Sequence, residues 1–360
     1  MTSLQTISTI MIKWYDEHQR DLPWRRINNP YYIWISEMML QQTQVKTATP
    51  YYHRFIETCP TIEDLANIDD EQLLKLWQGL GYYNRVRNMK KTAIIISSTM
   101  NGVFPRHPEE LVKLPGIGPY SAGAIASIAF GVRTPAIDGN VLRILSRLTM
   151  ETGDVQDPIV RKRLANVLVP FLPEERCGDF NQSLMDLGAT ICLANGTPLC
   201  EKCPLEHLCQ THLHEATDRI PFVPLKKERP IEARTVLLIH SYGQWLIRKR
   251  DAKGLLAGLW EYPNYSLLST EQEVASLIMS WGLEPISITK SSEAIHRFTH
   301  LEWHMNGYIV EANSKDTLPT YWKSVTFSDI LSFYSIPTAF SAYTKVIEKY
   351  ERSINENNML

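Results

Sequence analysis

A proline-rich basic segment, RIPFVPLKKERPIEA (219–233), separates two kinds of pattern in this chain of 360 residues. We expect it to be an extended linker. After it, RTVLLI and QWLIRKR around HSYG predict a hairpin, EQEVASLIMSWG a helix and WHMNGYIVEA a strand. Before it, apolar residues recur at helical spacing between Pro, Gly and Asn breaks. The predicted helices there are PYYIWISEMMLQQTQV, TIEDLANIDDEQLLKLWQGL, RVRNMKKTAIIISSTM, SAGAIASIAFGV, NVLRILSRL and IVRKRLANVLVPFL.

The overall charge argues neither for nor against a polyanionic partner. The net charge is −2, so any contact with nucleic acid has to come from local patches and oriented backbone amides. The first twenty residues lack the basic start and apolar core of a signal peptide, and no apolar run is long enough to cross a bilayer. We therefore expect a cytoplasmic protein without membrane association and without disulfides.

Four cysteines occur within eighteen residues, in the spacing C-x7-C-x2-C-x5-C: Cys192, Cys200, Cys203 and Cys209. Four thiolates suit a tetrahedral structural zinc site, but zinc ribbons usually pair two short C-x-x-C knuckles. One short and two long spacings favour a cubane iron–sulfur cluster, with zinc as the alternative. The remaining cysteines, Cys59 and Cys177, are expected to be buried thiols.

The segment LPGIGPYSAG (114–123) has the composition of an anion-binding turn. Gly116 and Gly118 allow a turn whose amides point outward, towards a phosphate oxygen. The helix predicted to follow adds the positive end of its dipole. An ordinary turn between helices is the plainer alternative, and two glycines alone would favour it.

Two carboxylates are candidates for chemistry. In DGNVLRILSRL, Asp138 is placed to cap a helix N-terminus, where a carboxylate ionises easily and could stabilise a cationic sugar. Glu37 shares a helical face with Ile33, Trp34, Leu40 and Gln41, a position that is costly unless the carboxyl is paired or its raised pKa is useful. An apolar Glu and a capped Asp fit the acid-plus-stabiliser chemistry of glycosidic cleavage. Plain capping and a solvated helix edge are the alternatives.

Together these motifs resemble the helix–hairpin–helix DNA glycosylases, of which endonuclease III is a member. DLPWRR, WISEMMLQQTQV, GLGYYNRVRN, Tyr120, the cysteine loop and RKRDAKGLLAGLWEYPN narrow the resemblance to the MutY family of adenine DNA glycosylases, over about residues 10–345. The implied fold is multidomain: an all-α helix–hairpin–helix core with an iron–sulfur module, plus an α+β MutT-like (Nudix-fold) C-terminal domain. The implied domains are a six-helix domain (21–131), an iron–sulfur helical domain (1–20 and 132–218), a linker (219–233) and the MutT-like domain (234–350).

The resemblance also implies the reaction: base flipping and monofunctional hydrolysis of the N-glycosidic bond of adenine opposite 8-oxoguanine or guanine in duplex DNA. Glu37 matches the family's general acid, and Asp138 matches the carboxylate that stabilises the oxocarbenium ion. Tyr120 and Asn140 match residues that line the same pocket. Residues matching the adenine pocket are Arg20, Leu22, Trp24, Arg25, Leu40 and Gln182. Residues matching DNA and lesion contacts are Gln42, Thr43, Tyr82, Gly116 and Gly118. The four cysteines match the ligands of one 4Fe-4S cluster.

In the C-terminal domain, HRFTHLEWHM resembles the family's Phe-Ser-His loop, with Thr299 in place of Ser. The resemblance makes Phe298, Thr299 and His300 the candidates for reading 8-oxoguanine. Threonine keeps the hydroxyl group but adds a methyl group. STEQEVASLIMSWG has acids only at its start, Glu271 and Glu273, whereas MutT-like hydrolases cluster glutamates there. We therefore expect a recognition module without nucleotide hydrolase activity.

Two features depart from the family pattern. Seven residues, rather than the usual six, separate the first two cysteines, and the loop LANGTPL lacks basic residues. The cluster is expected to persist, because the loop can bulge. Basic contacts with DNA are expected instead from Arg85, Arg87, Lys90, Lys91, Arg143 and Arg147.

Three other functions fit the sequence less well. A bifunctional glycosylase/AP lyase needs an amine for a Schiff base, and the endonuclease III branch has Lys where this chain has Tyr120. A thymine or uracil mismatch glycosylase would not be expected to carry the C-terminal domain. A lesion-binding protein with a decayed site would have lost a carboxylate, yet Glu37 and Asp138 are both present. The expected protein is a monomer that is associated with the nucleoid and acts on double-stranded DNA.

Overall fold

The computed structural model describes residues 4–224, 228–314, 318 and 321–357, and the chain divides into two compact units. The first unit comprises Met1–Ile68 and Asn84–Lys226, and the second comprises Asp69–Tyr83 and Lys227–Leu360. Residues 69–83 thus belong with the C-terminal part, which the sequence did not indicate. The separation of the helical residues into two domains stays a prediction. No helix of the described residues is long and apolar enough to cross a membrane.

The first unit is helical. Its helices are α1 (Leu4–His18), α2 (Pro30–Leu40), α3 (Val45–Thr58), α4 (Ile62–Asn67), α6 (Asn84–Thr99), α7 (Pro108–Leu111), α8 (Pro119–Phe130), α9 (Gly139–Thr149), α10 (Pro158–Leu168), α11 (Cys177–Thr190) and α12 (Gln210–Leu213). Short 3-10 helices lie between these α-helices, at Pro23–Arg25, Val169–Phe171, Cys200–Lys202 and Glu206–Leu208. One apolar core joins α1, α9, α10 and α11. Helix α2 packs on α8, and α8 packs on α11, so these elements meet where the candidate catalytic residues lie.

Two predicted helices are each interrupted. In the segment PYYIWISEMMLQQTQV, α2 ends at Leu40 and α3 begins only at Val45. Gln42 between them has a left-handed φ of 62°, which interrupts the helix. TIEDLANIDDEQLLKLWQGL forms α4 and then α5 (Asp70–Leu76). Its break occurs at Asp69, whose side chain accepts hydrogen bonds from the backbone amides of Glu71 and Gln72 and so caps α5.

The second unit is a mixed sheet covered by helices. Its strands are β1 (Ile231–Ser241), β2 (Gln244–Lys249), β3 (Trp260–Glu261), β4 (Asn264–Tyr265), β5 (Leu283–Arg297), β6 (Glu302–Ser314) and β7 (Trp322–Val325). Its helices are α5, α13 (Glu271–Ser280), α14 (Phe327–Ser332) and α15 (Ser341–Asn357), with a 3-10 helix at Thr338–Phe340. The strand order is β3-β2-β1-β6-β5, with β4 beside β1 and β7 beside β2. Strands β1 and β6 are parallel, and the other pairs are antiparallel.

Alternation along β1 builds a core on each face of this sheet. Val236 and Leu238 join the core that includes Tyr343 of α15, whereas Leu237 and Ile239 join the core that includes helix α13. The predicted hairpin around HSYG and the predicted α13 are confirmed. Strand β5 was not predicted, because its residues are mostly exposed or half-buried and lack a clear apolar alternation.

Candidate active site

A cavity of about 800 Å³ lies in the first unit, at the meeting of α2, α8, α11 and the N-terminus of α9. Every residue predicted for catalysis and for the adenine pocket lines it. These are Arg20, Leu22, Trp24, Arg25, Glu37, Leu40, Tyr120, Asp138, Asn140 and Gln182. Gln42 and Thr43, predicted to contact DNA, line it as well, on the turn between α2 and α3. The structure therefore brings together residues that lie up to 162 positions apart in the chain, from Arg20 to Gln182.

Glu37 is the buried carboxyl of this cavity. It lies on α2 and is 5% exposed, because the residues on either side of it pack into the interior. Its Oε2 accepts a hydrogen bond of 2.5 Å from the hydroxyl of Tyr120. The pKa of Glu37 is raised to about 7: burial is the main cause and the nearby Asp138 adds to it, whereas the Tyr120 hydrogen bond and Arg25 lower it. At neutral pH a large fraction of Glu37 therefore carries a proton that it can donate.

Tyr120 stands where α8 begins and connects three helices. Its hydroxyl donates to Glu37 of α2 and lies 4.0 Å from the sulfur of Met185 on α11. Burial and the two carboxyls raise the pKa of Tyr120 well above its usual value. The phenol consequently stays protonated and acts as a fixed hydrogen-bond donor, with no amine at this position.

Asp138 caps α9, as the sequence predicts. Its Oδ1 accepts from the Val141 amide at 2.7 Å, and its Oδ2 accepts from Nδ2 of Asn140 at 2.9 Å. The expectation that this carboxylate ionises easily is wrong in one respect. Burial raises the pKa of Asp138, although the hydrogen bonds from Val141 and Asn140 and the charge of Arg143 oppose that rise. The cap therefore compensates for only part of the desolvation of Asp138, and the sequence did not reveal that desolvation.

Arg143 and Arg147 are not DNA-facing side chains, contrary to the prediction. Their exposures are 8% and 6%, and both guanidinium groups are used inside the helical unit. Arg143 donates to Oδ1 of Asn140 at 2.9 Å and to the carbonyl of Cys192 at 2.9 Å. Arg147 donates to the carbonyl of Ile220 at 2.9 Å and to the sulfur of Cys192 at 3.2 Å. Both side chains lie on the buried side of α9, where these carbonyl groups replace water as hydrogen-bond acceptors.

The other predicted basic contacts lie on α6. Arg85 donates to the carbonyl of Met38 at 2.8 Å and also to that of Gln41, so it supports the end of α2. Lys90 donates to the carbonyl of Ile68 at 2.6 Å. Their part in DNA binding stays a prediction, as does that of Arg87 and Lys91.

The glycine hairpin lies between α7 and α8. Gly116 has a left-handed φ of 79°, and a Cβ there would lie 2.8 Å from Cβ of Asn88, so both conformation and space require glycine. Gly118 is different. It has an ordinary φ of −88°, caps α8, and has open space where a Cβ would project. The turn needs only the first glycine, whereas the second leaves the N-terminus of α8 uncovered.

The predicted lesion-reading residues lie in the second unit. The turn between β5 and β6 is formed by Phe298, Thr299 and His300. The ring of Phe298 packs against that of Trp303, with 4.8 Å between the ring centroids. The hydroxyls of Thr299 and Tyr82 are hydrogen-bonded at 2.7 Å. Tyr82 is 48% exposed and has a left-handed φ of 49°. Two residues predicted separately as lesion contacts therefore form one exposed pair.

The four predicted metal-binding cysteines lie around the C-terminus of α11. The loop between the first two closes with a backbone hydrogen bond from Leu199 to Ile191 at 3.0 Å, which accommodates its seven residues. Burial is the largest cause of the raised pKa of Cys203, and a hydrogen bond from the backbone amide of Leu205 opposes it. Electrostatic interactions with the other three cysteines also raise this pKa, so the four thiols share one neighbourhood. Among the described residues, no three His, Cys, Asp or Glu side chains are placed to hold a single metal ion.

Family models match both parts of the chain. The model of the HhH-GPD superfamily base excision DNA repair protein matches residues 35–170, and the NUDIX domain model matches residues 234–345. An adenine DNA glycosylase of Mus musculus is 31% identical over 401 residues, covering 95% of this chain and 77% of that protein. The adenine DNA glycosylase of Buchnera aphidicola subsp. Baizongia pistaciae is 36% identical over 308 residues, covering 85% and 86%. The chain belongs to the adenine DNA glycosylase family.

Two solved structures resemble the helical part of this chain. A thermostable thymine-DNA glycosylase is 28% identical with a TM-score of 0.53, covering 58% of this chain and 96% of that one. Endonuclease III in a non-covalent DNA complex is 26% identical with a TM-score of 0.50, covering 60% and 99%. The predicted fold class, a helix–hairpin–helix glycosylase core with a Nudix domain, is confirmed.

Four further residues of this family member belong to the cavity or its support. Gln41, Met185 and Arg161 line it, and Asp186 lies beneath two of its arginines. The sequence held a signal for three of them. Gln41 follows Glu37 by four positions, and Met185 and Asp186 follow Gln182 by three and four, so each shares a helical face with a predicted site residue. Arg161 carries no such local signal.

Proposed function

We propose that this adenine DNA glycosylase removes adenine opposite 8-oxoguanine or guanine in duplex DNA by monofunctional hydrolysis, with Glu37 as general acid and Asp138 as stabiliser. The observation that carries the proposal is the buried Glu37, whose pKa is raised to about 7, in a cavity that also holds Asp138. A base inside the duplex is inaccessible to such a cavity, so the nucleotide has to flip out. The space beside Gly118 is open, and the N-terminus of α8 begins there, so a DNA phosphate could approach the positive end of the helix dipole.

Proton transfer opens the reaction. Glu37 gives its proton to N7 of adenine, which turns the base into a neutral leaving group as the C1′–N9 bond breaks. The sugar retains the positive charge of an oxocarbenium ion. Water adds to C1′, and its proton is released, so the products are free adenine and an abasic site. Tyr120 holds the Glu37 carboxyl in place by its hydrogen bond.

Asp138 supports both stages of this reaction. Its negative charge raises the pKa of Glu37 and so favours the proton-loaded acid. The same charge stabilises the oxocarbenium ion once the base has left. Two carboxyl groups whose environments differ thereby take different roles, one as proton donor and one as stabiliser of positive charge.

Strand cleavage is not part of the proposed activity. A lyase step requires an amine nucleophile, and the described lining of the cavity includes arginines but no lysine. Tyr120 is occupied as a hydrogen-bond donor to Glu37. Duplexes with adenine opposite 8-oxoguanine should therefore be cut only after alkali treatment. Equal cleavage without alkali, or release of thymine or uracil instead of adenine, would contradict the proposal.

We propose further that the four cysteines hold one 4Fe-4S cluster. Each thiolate of a cubane binds a different iron, so the ligands need not converge on one point as zinc requires. The thiols share a neighbourhood, and the Arg147 guanidinium lies 3.2 Å from the sulfur of Cys192, where it suits an anionic thiolate. When bound, the cluster stabilises the turn that follows α11.

Metal analysis distinguishes the 4Fe-4S cluster from a zinc ion. We expect anaerobically purified protein to contain about four irons per chain, little zinc, and broad visible absorbance of iron–sulfur charge transfer. One zinc per chain without visible absorbance would contradict the cluster.

Recognition of 8-oxoguanine is assigned to the turn that carries Phe298, Thr299 and His300. The pair formed by Tyr82 and Thr299 offers two hydroxyl groups on an exposed surface, and one can remain available to the base. Deleting the C-terminal domain is a poor test, because Asp69–Tyr83 belongs to the same unit and would lose its packing. A point substitution avoids this difficulty.

Thr299→Ala is expected to reduce the preference for adenine opposite 8-oxoguanine over adenine opposite guanine by roughly tenfold, the cost of one lost hydrogen bond. Single-turnover rates and duplex affinities on the two substrates measure the preference. Thr289→Ala, at an exposed threonine of β5, is the matched control and should leave it unchanged. An unaltered preference in Thr299→Ala would remove the assigned role of this hydroxyl.

A further inference from the structure

Asp186 forms a buried ion-pair network directly behind the cavity. It lies on α11, its side chain is 0% exposed, and it receives Arg25 in a bidentate pair at 2.7 and 2.8 Å. The guanidinium of Arg20 donates to the same carboxylate at 2.7 Å, and the backbone amide of Arg20 donates at 3.1 Å. Burial by itself would raise the pKa of Asp186, but the bonds from both arginines hold it below its usual value. Asp186 is therefore an ionised carboxylate inside the protein.

The two arginines extend from this carboxylate to the cavity, where both are lining residues. Arg25 is 11% exposed and is enclosed on another side by the ring of Tyr15, whose centroid lies 5.5 Å from its Cζ. It also donates to the carbonyl of Arg20 at 3.3 Å, which ties the two side chains to one another. Bidentate pairing fixes the plane of a guanidinium group, so Asp186 determines how Arg25 faces the cavity.

One member of the network, Arg25, also acts electrostatically on Glu37. Three groups act on Glu37 from the elements around it: Tyr120 from α8, Asp138 from the N-terminus of α9, and Arg25 from the 3-10 helix Pro23–Arg25. Arg25 is the only cation among these, and its effect is to favour the ionised form of Glu37. A general acid must remain protonated, so a neutralising partner for Arg25 serves the reaction.

We propose that Asp186 is a positioning residue of this active site, which holds Arg20 and Arg25 in one orientation and neutralises the positive charge that they would otherwise present to Glu37. The proposal rests on the proposed role of Glu37 as general acid. Asp186 acts through the arginines and does not touch the reacting atoms. Removing this carboxylate would leave the positive charges of both arginines uncompensated in the protein interior.

The test is the pH profile of single-turnover adenine release by the full chain. In Asp186→Asn the arginine charges lack a carboxylate partner and favour ionised Glu37, so the alkaline limb should move to lower pH by about one unit. At pH 8 the rate should then fall roughly fivefold more than at pH 6, because the protonated fraction of Glu37 falls about ninefold at pH 8 and about twofold at pH 6. Arg25→Gln should move the limb the opposite way, to higher pH, whatever its effect on the maximal rate. Asp186→Glu, which keeps the charge, should leave the limb at its parental position.

A control and a second route guard against damage to the fold. Asp179→Asn, on the same helix but in an exposed pair with Arg176, should leave the profile unchanged. If Asp186→Asn does not fold, Arg25→Gln still decides the question by the direction of its shift. An Asp186→Asn loss of equal size at every pH, or an Arg25→Gln limb that does not move, would overturn the proposal. If the parent protein released no adenine, the proposed function would fail instead.

Discussion

Glu37→Gln is expected to slow adenine release by roughly a thousandfold, within the range that general acid catalysis contributes. Gln has nearly the same shape and can still accept the hydrogen bond from Tyr120, but it has no proton to give to N7 of adenine. Single-turnover release at pH 7, on a duplex with adenine opposite 8-oxoguanine, measures the effect. The affinity for the same duplex should remain near that of the parent.

Glu57→Gln is the matched control, since Glu57 is an exposed glutamate on α3. It should keep the parental rate. Release of adenine by Glu37→Gln at the parental rate would show that another group supplies the proton. Loss of duplex affinity together with activity would indicate a damaged fold instead of a missing acid.

Glu37→Gln should also stabilise the folded protein at alkaline pH. The pKa of Glu37 is raised to about 7 in the folded state, above its unfolded value, so the folded state retains a proton that the unfolded state releases. Stability is therefore lost as pH rises from the unfolded pKa to the folded one. Above pH 7 the cost is on the order of 3 kcal/mol, and Gln avoids it. Thermal unfolding at pH 8 should occur at a higher temperature in Glu37→Gln, with a smaller difference at pH 5.

Local patterns predicted the parts of the site that depend on one helix at a time. An acid on the apolar face of α2 had to be either buried or paired, and Glu37 is buried against Tyr120. An Asp before a helical run predicted the cap that Asp138 forms. The family resemblance supplied the remaining lining residues, because their separation along the chain hides their proximity.

Features that depend on packing between elements escaped prediction. Arg143 and Arg147 look like a solvated face on α9, but the carbonyl groups that accept their hydrogen bonds come from distant segments. Asp186 looks like an ordinary helical acid until Arg20 and Arg25 approach from the other end of the unit. The raised pKa of Asp138 likewise follows from burial, which no cap motif encodes.

Asp138→Asn is expected to slow adenine release by roughly a hundred- to a thousandfold, as loss of one electrostatic stabiliser of a charged transition state does. The helix should persist, because Asn is as good an N-cap as Asp and its Oδ1 can accept from Val141. Thermal unfolding should therefore change little. The matched control is Asp157→Asn, which alters the exposed cap of α10 and should leave activity at the parental level.

The pH profile separates the two roles of Asp138. Its negative charge raises the pKa of Glu37, so in Asp138→Asn the alkaline limb of the residual activity should move to lower pH. A lowered maximal rate with an unmoved limb would mean that Asp138 acts on the sugar alone. A moved limb with a parental maximal rate would mean that it only keeps Glu37 protonated, and the oxocarbenium role would be wrong. Both changes together are expected, because one carboxylate faces the acid before bond cleavage and the cation after it.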